Sequence, residues 1–252
     1  MWHSRHDKDI LDHLGRTGSA RIEELARNLS VSAETVRRAI RRLEQAGAVT
    51  RVHGGVNLRG WGLEPSFVQR MAVNPDRKRR VAARLAGLIP DGASLFLDVG
   101  STTAYVAQAL RNHRDLLVVT NSLPVAQTLA GRGENRVFMA GGELRPHDGG
   151  VFGADALAFV RQFRVQHAIL SAAAIDGKAG FMLADLQEAE FSRAIIDCAE
   201  AATIAADGSK FGTVAPVCIA QPKAFRRLVT DAAPPDDLAG LLRDAEVDVI
   251  LA

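Results

Sequence analysis

The sequence predicts an α/β protein with a small N-terminal helical unit and a larger C-terminal domain built on a mostly parallel sheet. Three observations support this fold class. Apolar residues recur at helical spacing over residues 1–57, where a short alternating segment completes the unit. Apolar strand-like runs alternate with helical segments over residues 78–252. Residues 58–77 separate the two as a linker, because they combine weak periodicity with four glycines and prolines.

The composition is typical of a globular protein. The chain has 252 residues, of which 47% are hydrophobic and 24% charged, enough to bury a sizeable core. Its two cysteines, Cys198 and Cys218, lie in apolar segments, and we expect reduced thiols. No window approaches the roughly 18 apolar residues of a membrane span, and no apolar leader opens the chain. The sequence therefore predicts a cytoplasmic protein.

Charge is distributed unevenly along the chain. Residues 1–60 contain eleven Lys or Arg and seven Asp or Glu, a net charge of +4. The whole chain carries only +2, so the remainder is mildly acidic at −2. This asymmetry predicts a phosphate-bearing partner for the N-terminal unit and a different task for the rest.

Three helical segments are predicted in the N-terminal unit. The first is ended by Gly15, the second covers residues 22–29, and the third runs from Ala33 to Gln45 with Ser32 as its N-cap. In the third helix one face is apolar, and the opposite face is basic. A helix, a turn of about four residues and a second helix with a basic face form a helix-turn-helix that enters the DNA major groove. An ordinary surface helix with a solvated charged face has the same stripe.

A short hairpin, predicted over residues 48–56, follows the third helix and turns at Gly54 and Gly55. It reads as a wing that reaches backbone phosphates, although His53 is equally compatible with a polar hairpin position. The candidate DNA-contact residues are Ser32, Glu34, Thr35, Arg37, Arg38, Arg41, Arg42, Arg51 and His53.

The segment LSVSAETVRRAIRRLEQAGAVTRVHGGV resembles the winged helix-turn-helix of the DeoR family of bacterial regulators. The resemblance implies double-stranded operator DNA as a partner, bound by paired heads of a dimer or tetramer. The family usually carries an Asp after the arginine pair, where this chain has Ala39. We expect this difference to alter the packing of the helix or its contacts with the operator.

The C-terminal domain alternates predicted strands with predicted helices. The strands are expected at 94–98, 116–120, 136–140, 167–173, 201–206, 214–219 and 246–251, and the helices at 81–88, 102–111, 123–131, 153–163, 186–199 and 236–244. Ligands of such sheets bind at the carboxyl ends of the strands.

Polar and glycine-rich groups follow five of these strands, including the pair Asp176–Gly177. The turn from Gly100 to Thr103 opens a helix, which suits an anion, although such turns also cap helices without any ligand. Lys210 suits a phosphate, although most such lysines are surface residues. The candidate effector-binding residues are Asp98, Gly100, Ser101, Thr102, Thr103, Asn121, Ser122, Gly141, Gly142, Arg145, Glu188, Asp207 and Lys210. Together they predict a small anionic, hydroxylated ligand.

The segments DVGSTT, VVTNS, AGGELR, EAEFSRAII and DGSKFG are similar to the effector domain of DeoR-type regulators. The resemblance implies a fold related to sugar-phosphate isomerases and a phosphorylated effector. The likeness extends over 141–164, the AIDG turn and 229–242 with the branch that regulates glycerol-3-phosphate metabolism, which implies that compound as effector. Sugar-specific members carry an Asp and two Thr where this chain has Ser171–Ala174 and Phe181–Leu183. Fewer hydrogen-bonding groups favour a shorter ligand.

Two functions are compared with a ligand-controlled repressor. A sugar-phosphate isomerase with an accessory head needs a general base, for which Glu188 and Asp207 are the candidates, but both are also compatible with ligand binding. An architectural DNA-binding protein leaves the large α/β body unexplained. The seven histidines show no metal spacing, and we expect neither a metal nor another cofactor. The sequence therefore predicts a transcriptional repressor and not an enzyme.

Overall fold

The N-terminal unit is helical and ends in a small antiparallel sheet. The computed structural model describes residues 5–17, 19–52, 55–58 and 67–252. In the first three ranges the elements are α1 (Arg5–Thr17), β1 (Ser19–Arg21), α2 (Ile22–Asn28), α3 (Ala33–Gln45), β2 (Val49–Val52) and β3 (Gly55–Leu58). Strand β3 pairs antiparallel with both β2 and β1. The predicted helix-turn-helix is confirmed, and β2 and β3 pair as the predicted wing, whose turn residue Gly54 lies outside the described residues.

Helix α3 has the predicted bounds because its start and its buried face are both encoded locally. The Ser32 hydroxyl accepts the backbone N–H of Thr35 at 3.1 Å and caps the helix. Val36, Ile40 and Leu43 are buried in one cluster with the apolar side chains of α1. This packing orients the remaining face of α3 outward.

Two features of this unit differ from the sequence prediction. Helix α1 continues through Gly15 to Thr17. A glycine costs a helix only about 1 kcal/mol, and burial of Ile10 and Leu14 in the same helix offsets it. Strand β1 has three residues, too few to show alternation, and it is defined by its pairing with β3.

The C-terminal part alternates strands and helices. Its elements are α4 (Phe67–Ala72), α5 (Pro75–Ala86), β4 (Ser94–Leu97), α6 (Ser101–Ala109), β5 (Leu117–Thr120), α7 (Leu123–Leu129), β6 (Arg136–Met139), α8 (Ala154–Val160), β7 (Val165–Leu170), β8 (Ala174–Asp176), β9 (Gly180–Leu183), α9 (Leu186–Asp197), β10 (Ala199–Ala205), β11 (Val217–Cys218), β12 (Arg227–Thr230), α10 (Asp236–Asp244) and β13 (Asp248–Leu251).

In the main sheet of residues 67–252, all neighbouring strands are parallel. Its seven strands lie in the order β13-β12-β10-β7-β4-β5-β6. Phe96 and Ala168 face one buried cluster, whereas Leu95, Leu97 and Ile169 face the other. The chain runs outward from β4 in one direction and from β7 in the other. The strand order therefore reverses between β4 and β7, which opens a crevice outside their carboxyl ends.

Three sequence predictions about this domain are wrong. The segment 214–219 contributes only β11, which joins β8 and β9 in a separate antiparallel sheet. Asp176 ends β8 of this small sheet and not a strand of the main sheet, and its carboxylate accepts the N–H groups of Lys178 and Ala179 in the hairpin turn. The predicted helix 81–88 begins at Pro75, and α4 lies in the expected linker. The division at 58–77 stays a prediction.

Strand β12 was missed because charge interrupts its apolar run. Arg226 and Arg227 stand where an uninterrupted apolar strand is expected, yet Leu228 and Val229 are fully buried between β10 and β13. None of the helices in the described ranges combines the length and the apolar character that a membrane crossing needs.

Candidate functional site

The exposed face of α3 is basic. Arg37, Arg38 and Arg41 are exposed, and Arg38 forms no ion pair within the described part of the chain. Glu34 pairs with Arg41 at 2.7 Å and with Arg37 at 3.5 Å. Exposed pairs of this kind contribute at most about 1 kcal/mol, so phosphates can replace the glutamate as partner.

Arg42 differs from the other arginines of α3. Its guanidinium forms two hydrogen bonds to the carboxylate of Asp7 on α1, at 2.6 Å and 3.4 Å. The Asp7 side chain is only 3% exposed. Arg42 thus fixes α1 against α3, and the contact to DNA expected for it stays a prediction.

The cap and the wing contribute the remaining expected DNA contacts. Ser32 is exposed and Thr35 half-buried at the N-terminal tip of α3. Arg51 on β2 is exposed and lies 3.8 Å from Glu44. His53 lies outside the described residues. Ala39 is fully buried in the core of the unit. An Asp at this position would place a polar group in that core, so the packing between the helices would have to change.

The crevice between β4 and β7 is closed at its base by Asp98. This carboxylate follows β4, is 4% exposed and accepts the backbone N–H of Ser171, which follows β7. Gly100 must be a glycine here, since a Cβ would collide with the Ser171 hydroxyl and press against that of Thr103. The two loops therefore lie in direct contact.

The N-terminus of α6 is where the sequence predicts an anion site, and this role stays a prediction. Ser101 and Thr102 are buried at its first turn, where unpaired backbone N–H groups and the helix dipole favour an anion. Thr103 has another role: its hydroxyl lies 2.9 Å from the carbonyl of Asp98 and 3.0 Å from that of Gly100. It braces the turn, so the hydroxyl is engaged inside the protein.

Lys78 supplies a positive charge that the sequence reasoning missed. Its side chain is buried, and Nζ donates to the Ser101 hydroxyl at 2.9 Å. The signal was present in the sequence, since Lys78 lies three, four and seven residues before Val81, Ala82 and Leu85 on the buried face of α5. The charged run around it hid this periodicity.

A narrow cleft, with no room for a water-sized sphere, lies beside the turn that precedes α6. Its walls are formed by Asp98, Val99, Asn121, Phe152, Leu183, Glu188, Phe191 and Ser192. Asn121 donates from Nδ2 to the carbonyl of Val151, but its buried Oδ1 has no hydrogen-bond partner in the described residues. A buried amide oxygen without a hydrogen-bond partner destabilises the fold. A hydroxyl group on a ligand could donate to it and remove that penalty.

Arg145 connects the cleft to a buried acidic residue. Its guanidinium donates to both Asp148 oxygens, at 3.0 Å and 2.5 Å, and also pairs with Glu188. It lies over the ring of Phe152 at 4.2 Å. Burial acts to lower the pKa of Arg145, but the bonds and charges of Asp148 and Glu188 outweigh it and raise that pKa above its ordinary value.

Asp148 stays ionised for the complementary reason. Burial acts to raise its pKa, but the hydrogen bonds from Arg145 and from the N–H of Gly150 lower that pKa below the ordinary 3.8. Its side chain is fully buried. The sequence offered no sign of this role, because Asp148 lies in a polar, glycine-containing segment that is typical of an exposed loop.

Asp207 and Lys210 lie on the loop after β10. Asp207 is buried; its Oδ1 accepts from Ser209 and from Asn74 Nδ2 at 3.3 Å, whereas its Oδ2 has no hydrogen-bond partner among the described residues. Lys210 is half-buried and forms no ion pair in the described ranges. Both features leave capacity for a hydroxylated, anionic ligand.

The other predicted effector residues are placed less directly. Ser122 caps α7 through a 3.5 Å bond from the N–H of Val125. Gly141 and Gly142 lie on an exposed loop after β6 and do not line the cleft. The binding role of these residues stays a prediction.

The chain matches known proteins over both parts. Residues 5–59 match the DeoR-like helix-turn-helix domain, and residues 73–232 match the DeoR C-terminal sensor domain. The chain belongs to the DeoR family. It is a transcriptional repressor rather than an enzyme, and its helix-turn-helix binds DNA.

Named relatives of this DeoR-family repressor cover its full length. It is 36% identical to the HTH-type transcriptional repressor CsqR of Escherichia coli K12, over 98% of this chain and 94% of the relative. It is 35% identical to the glycerol-3-phosphate regulon repressor of the same organism, over 100% of both chains. Among solved structures it is similar to ribose 5-phosphate isomerase A of Methanocaldococcus jannaschii, with a TM-score of 0.40 and 18% identity over 54% of each chain.

Proposed function

We propose that a small phosphorylated metabolite releases this repressor from its operator, and that the metabolite is glycerol-3-phosphate. The observation that carries the proposal is the crevice between β4 and β7. Around it, at the carboxyl ends of the strands, the N-terminus of α6, Lys78 and Lys210 suit a phosphate. The Oδ1 of Asn121 and the Oδ2 of Asp207, which have no hydrogen-bond partner among the described residues, suit hydroxyls.

The apolar wall of the cleft supports a short ligand. The cleft has no room for a water-sized sphere in this structure, so a ligand binds there only when the wall side chains move apart. Phe152, Leu183 and Phe191 add apolar wall where a longer polyol needs hydrogen-bond partners. The full-length relative named for the glycerol-3-phosphate regulon supports the same effector.

A different phosphorylated sugar is the second candidate. Two relatives of nearly equal identity, 36% and 35%, carry different names, so overall identity does not select the effector. The same site chemistry, with a rearranged Arg145–Glu188 pair, would admit a longer chain of hydroxyls.

The DNA-binding part of the proposal assigns contacts by position. Residues at the N-terminal tip of α3 read bases, while Arg37, Arg38, Arg41 and Arg51 contact phosphates. Heads paired in a dimer or tetramer span repeated half-sites, and the repressor acts in the cytoplasm, where bacterial operators lie.

The test compares effector and operator binding in the same protein. Phosphorylated C3 to C6 metabolites are screened by thermal shift, and operator affinity is measured with and without each. We expect glycerol-3-phosphate to raise the melting temperature and to weaken operator binding at least tenfold. Operator affinity unchanged by every saturating compound would contradict the proposal.

Lys210→Ala tests the effector site. The variant should bind operator like the wild type but require at least tenfold more effector for release, because the phosphate loses a cation. Lys178→Ala removes an exposed lysine from the hairpin turn and serves as the control. An unchanged effector response in Lys210→Ala would remove Lys210 from the site.

A further inference from the structure

The segment that follows the DNA-binding unit lies against the effector loops. We call this segment, residues 67–78, the connector; it comprises α4 and the first turn of α5. Arg70 Nη2 lies 3.7 Å from the buried carboxylate of Asp148. Asn74 Nδ2 donates to Asp207 Oδ1 at 3.3 Å. The connector therefore contacts the loops after β6 and β10, both of which carry candidate effector residues.

A third set of contacts joins the connector to α6. Lys78 Nζ donates at the same time to the Ser101 hydroxyl, at 2.9 Å, and to the carbonyl of Arg70, at 2.5 Å. The Tyr105 hydroxyl of α6 donates to the carbonyl of Met71 at 3.0 Å. One ammonium group thus holds both the anion site and the last turn of α4.

We propose that the connector is the element through which the effector acts on the DNA-binding unit. This proposal rests on the proposed function, namely that an anion binds at the N-terminus of α6. An anion there attracts Lys78 Nζ more strongly than the neutral carbonyl of Arg70 does, because charge-assisted hydrogen bonds are the stronger ones. The contact that ends α4 is then weakened, and the connector moves.

The position of the connector in the chain makes this movement consequential. Only eight residues, 59–66, separate Leu58 at the end of β3 from Phe67 at the start of α4. A displacement of α4 therefore moves the point from which the DNA-binding unit is attached. Two heads matched to fixed half-site spacing lose that match when their attachment points move.

Variants on the connector side test this without any effector. Arg70→Gln and Asn74→Ala remove connector contacts without touching the proposed ligand. Each should weaken operator binding at least fivefold, because the loosened connector mimics the effector-bound state. Arg84→Gln, an exposed arginine farther along α5, is the matched control and should bind like the wild type. Operator affinity equal to wild type in both connector variants would overturn the proposal; if Arg70→Gln does not fold, Asn74→Ala decides.

Hydrogen exchange of the full-length protein tests the direction of the effect. Glycerol-3-phosphate, with inorganic phosphate as a second probe, should raise the exchange of the amides of residues 67–72 several-fold. Unchanged exchange in protein that binds the probe by thermal shift would overturn the proposal. If the wild-type operator complex ignores every effector, the proposed function fails and the connector proposal fails with it. If an effector releases the wild type while both connector variants bind operator like the wild type, only the connector proposal fails.

Discussion

Asp148 shows how one residue organises the candidate effector site. It is fully buried, accepts two hydrogen bonds from Arg145 and lies 3.7 Å from Arg70. Arg145 in turn pairs with Glu188 on the cleft wall. A buried carboxylate is tolerated only with such partners, because desolvation otherwise outweighs the attraction. Asp148 therefore joins the cleft wall to the connector.

Asp148→Asn should make stability less dependent on acid. The folded-state pKa of Asp148 lies below the ordinary 3.8, so its ionised form contributes stability that is present above pH 4 and is lost as pH falls through the folded pKa. We expect a loss of about 1.5–3 kcal/mol near pH 7, the range for a hydrogen bond to a charged group. The difference between variant and wild type should shrink toward pH 3 in thermal unfolding.

The control for this prediction is Asp155→Asn. Asp155 is exposed in the first turn of α8, so its replacement should change stability far less. A difference between Asp148→Asn and wild type that stays constant from pH 7 to pH 3 would show that the carboxylate charge is not responsible.

Helix α3 illustrates how one element serves two purposes. Its apolar face is buried in the N-terminal core, and its exposed face carries Arg37, Arg38 and Arg41. Arg42 lies between the two faces and pairs with Asp7. The four arginines look alike in the sequence, but the fold leaves three of them exposed, without a partner on another helix of the described residues, and bonds Arg42 to Asp7 of α1.

Arg38→Ala and Arg42→Ala should separate these purposes. Arg38→Ala should weaken operator binding and reduce its salt dependence by about one phosphate contact, with no change in unfolding temperature. Arg42→Ala should lower the stability of the N-terminal unit, because the buried Asp7 loses a bidentate partner. Circular dichroism during thermal unfolding and operator titrations at several salt concentrations measure both; an unchanged stability of Arg42→Ala would contradict the structural role.

At the scale of the whole molecule, the proposed function couples two binding sites that lie in different parts of the chain. Coupling between an effector and an operator is reciprocal at equilibrium. We expect operator DNA to weaken glycerol-3-phosphate binding by the factor by which the effector weakens operator binding. Calorimetric titration of the effector into the repressor, alone and with saturating operator, measures this factor; unequal factors at equilibrium would mean that a further component or state takes part.

Local sequence signals were sufficient for much of the fold. The Ser32 cap and the apolar spacing of α3 predicted its bounds, and the alternating pattern predicted a parallel sheet. Strand β12 was missed because arginines interrupt its apolar run. The small antiparallel sheet was missed because its short strands are defined only by their pairing. The candidate effector loops were found from their polar composition, although Ser122 and Thr103 turned out to brace the backbone.

The sequence by itself determined the class of the protein, since helix caps, periodicity and strand-end composition depend on neighbouring residues. Only the tertiary structure decided which charged groups act together. Lys78 meets Ser101 across 23 residues, Arg42 meets Asp7 across 35 and Arg145 meets Glu188 across 43. Burial then sets the strength of these pairs, because a charge removed from water is strongly destabilising unless a partner of opposite charge or a hydrogen bond compensates it. Neither the pairing nor the burial can be read from residues adjacent in the chain.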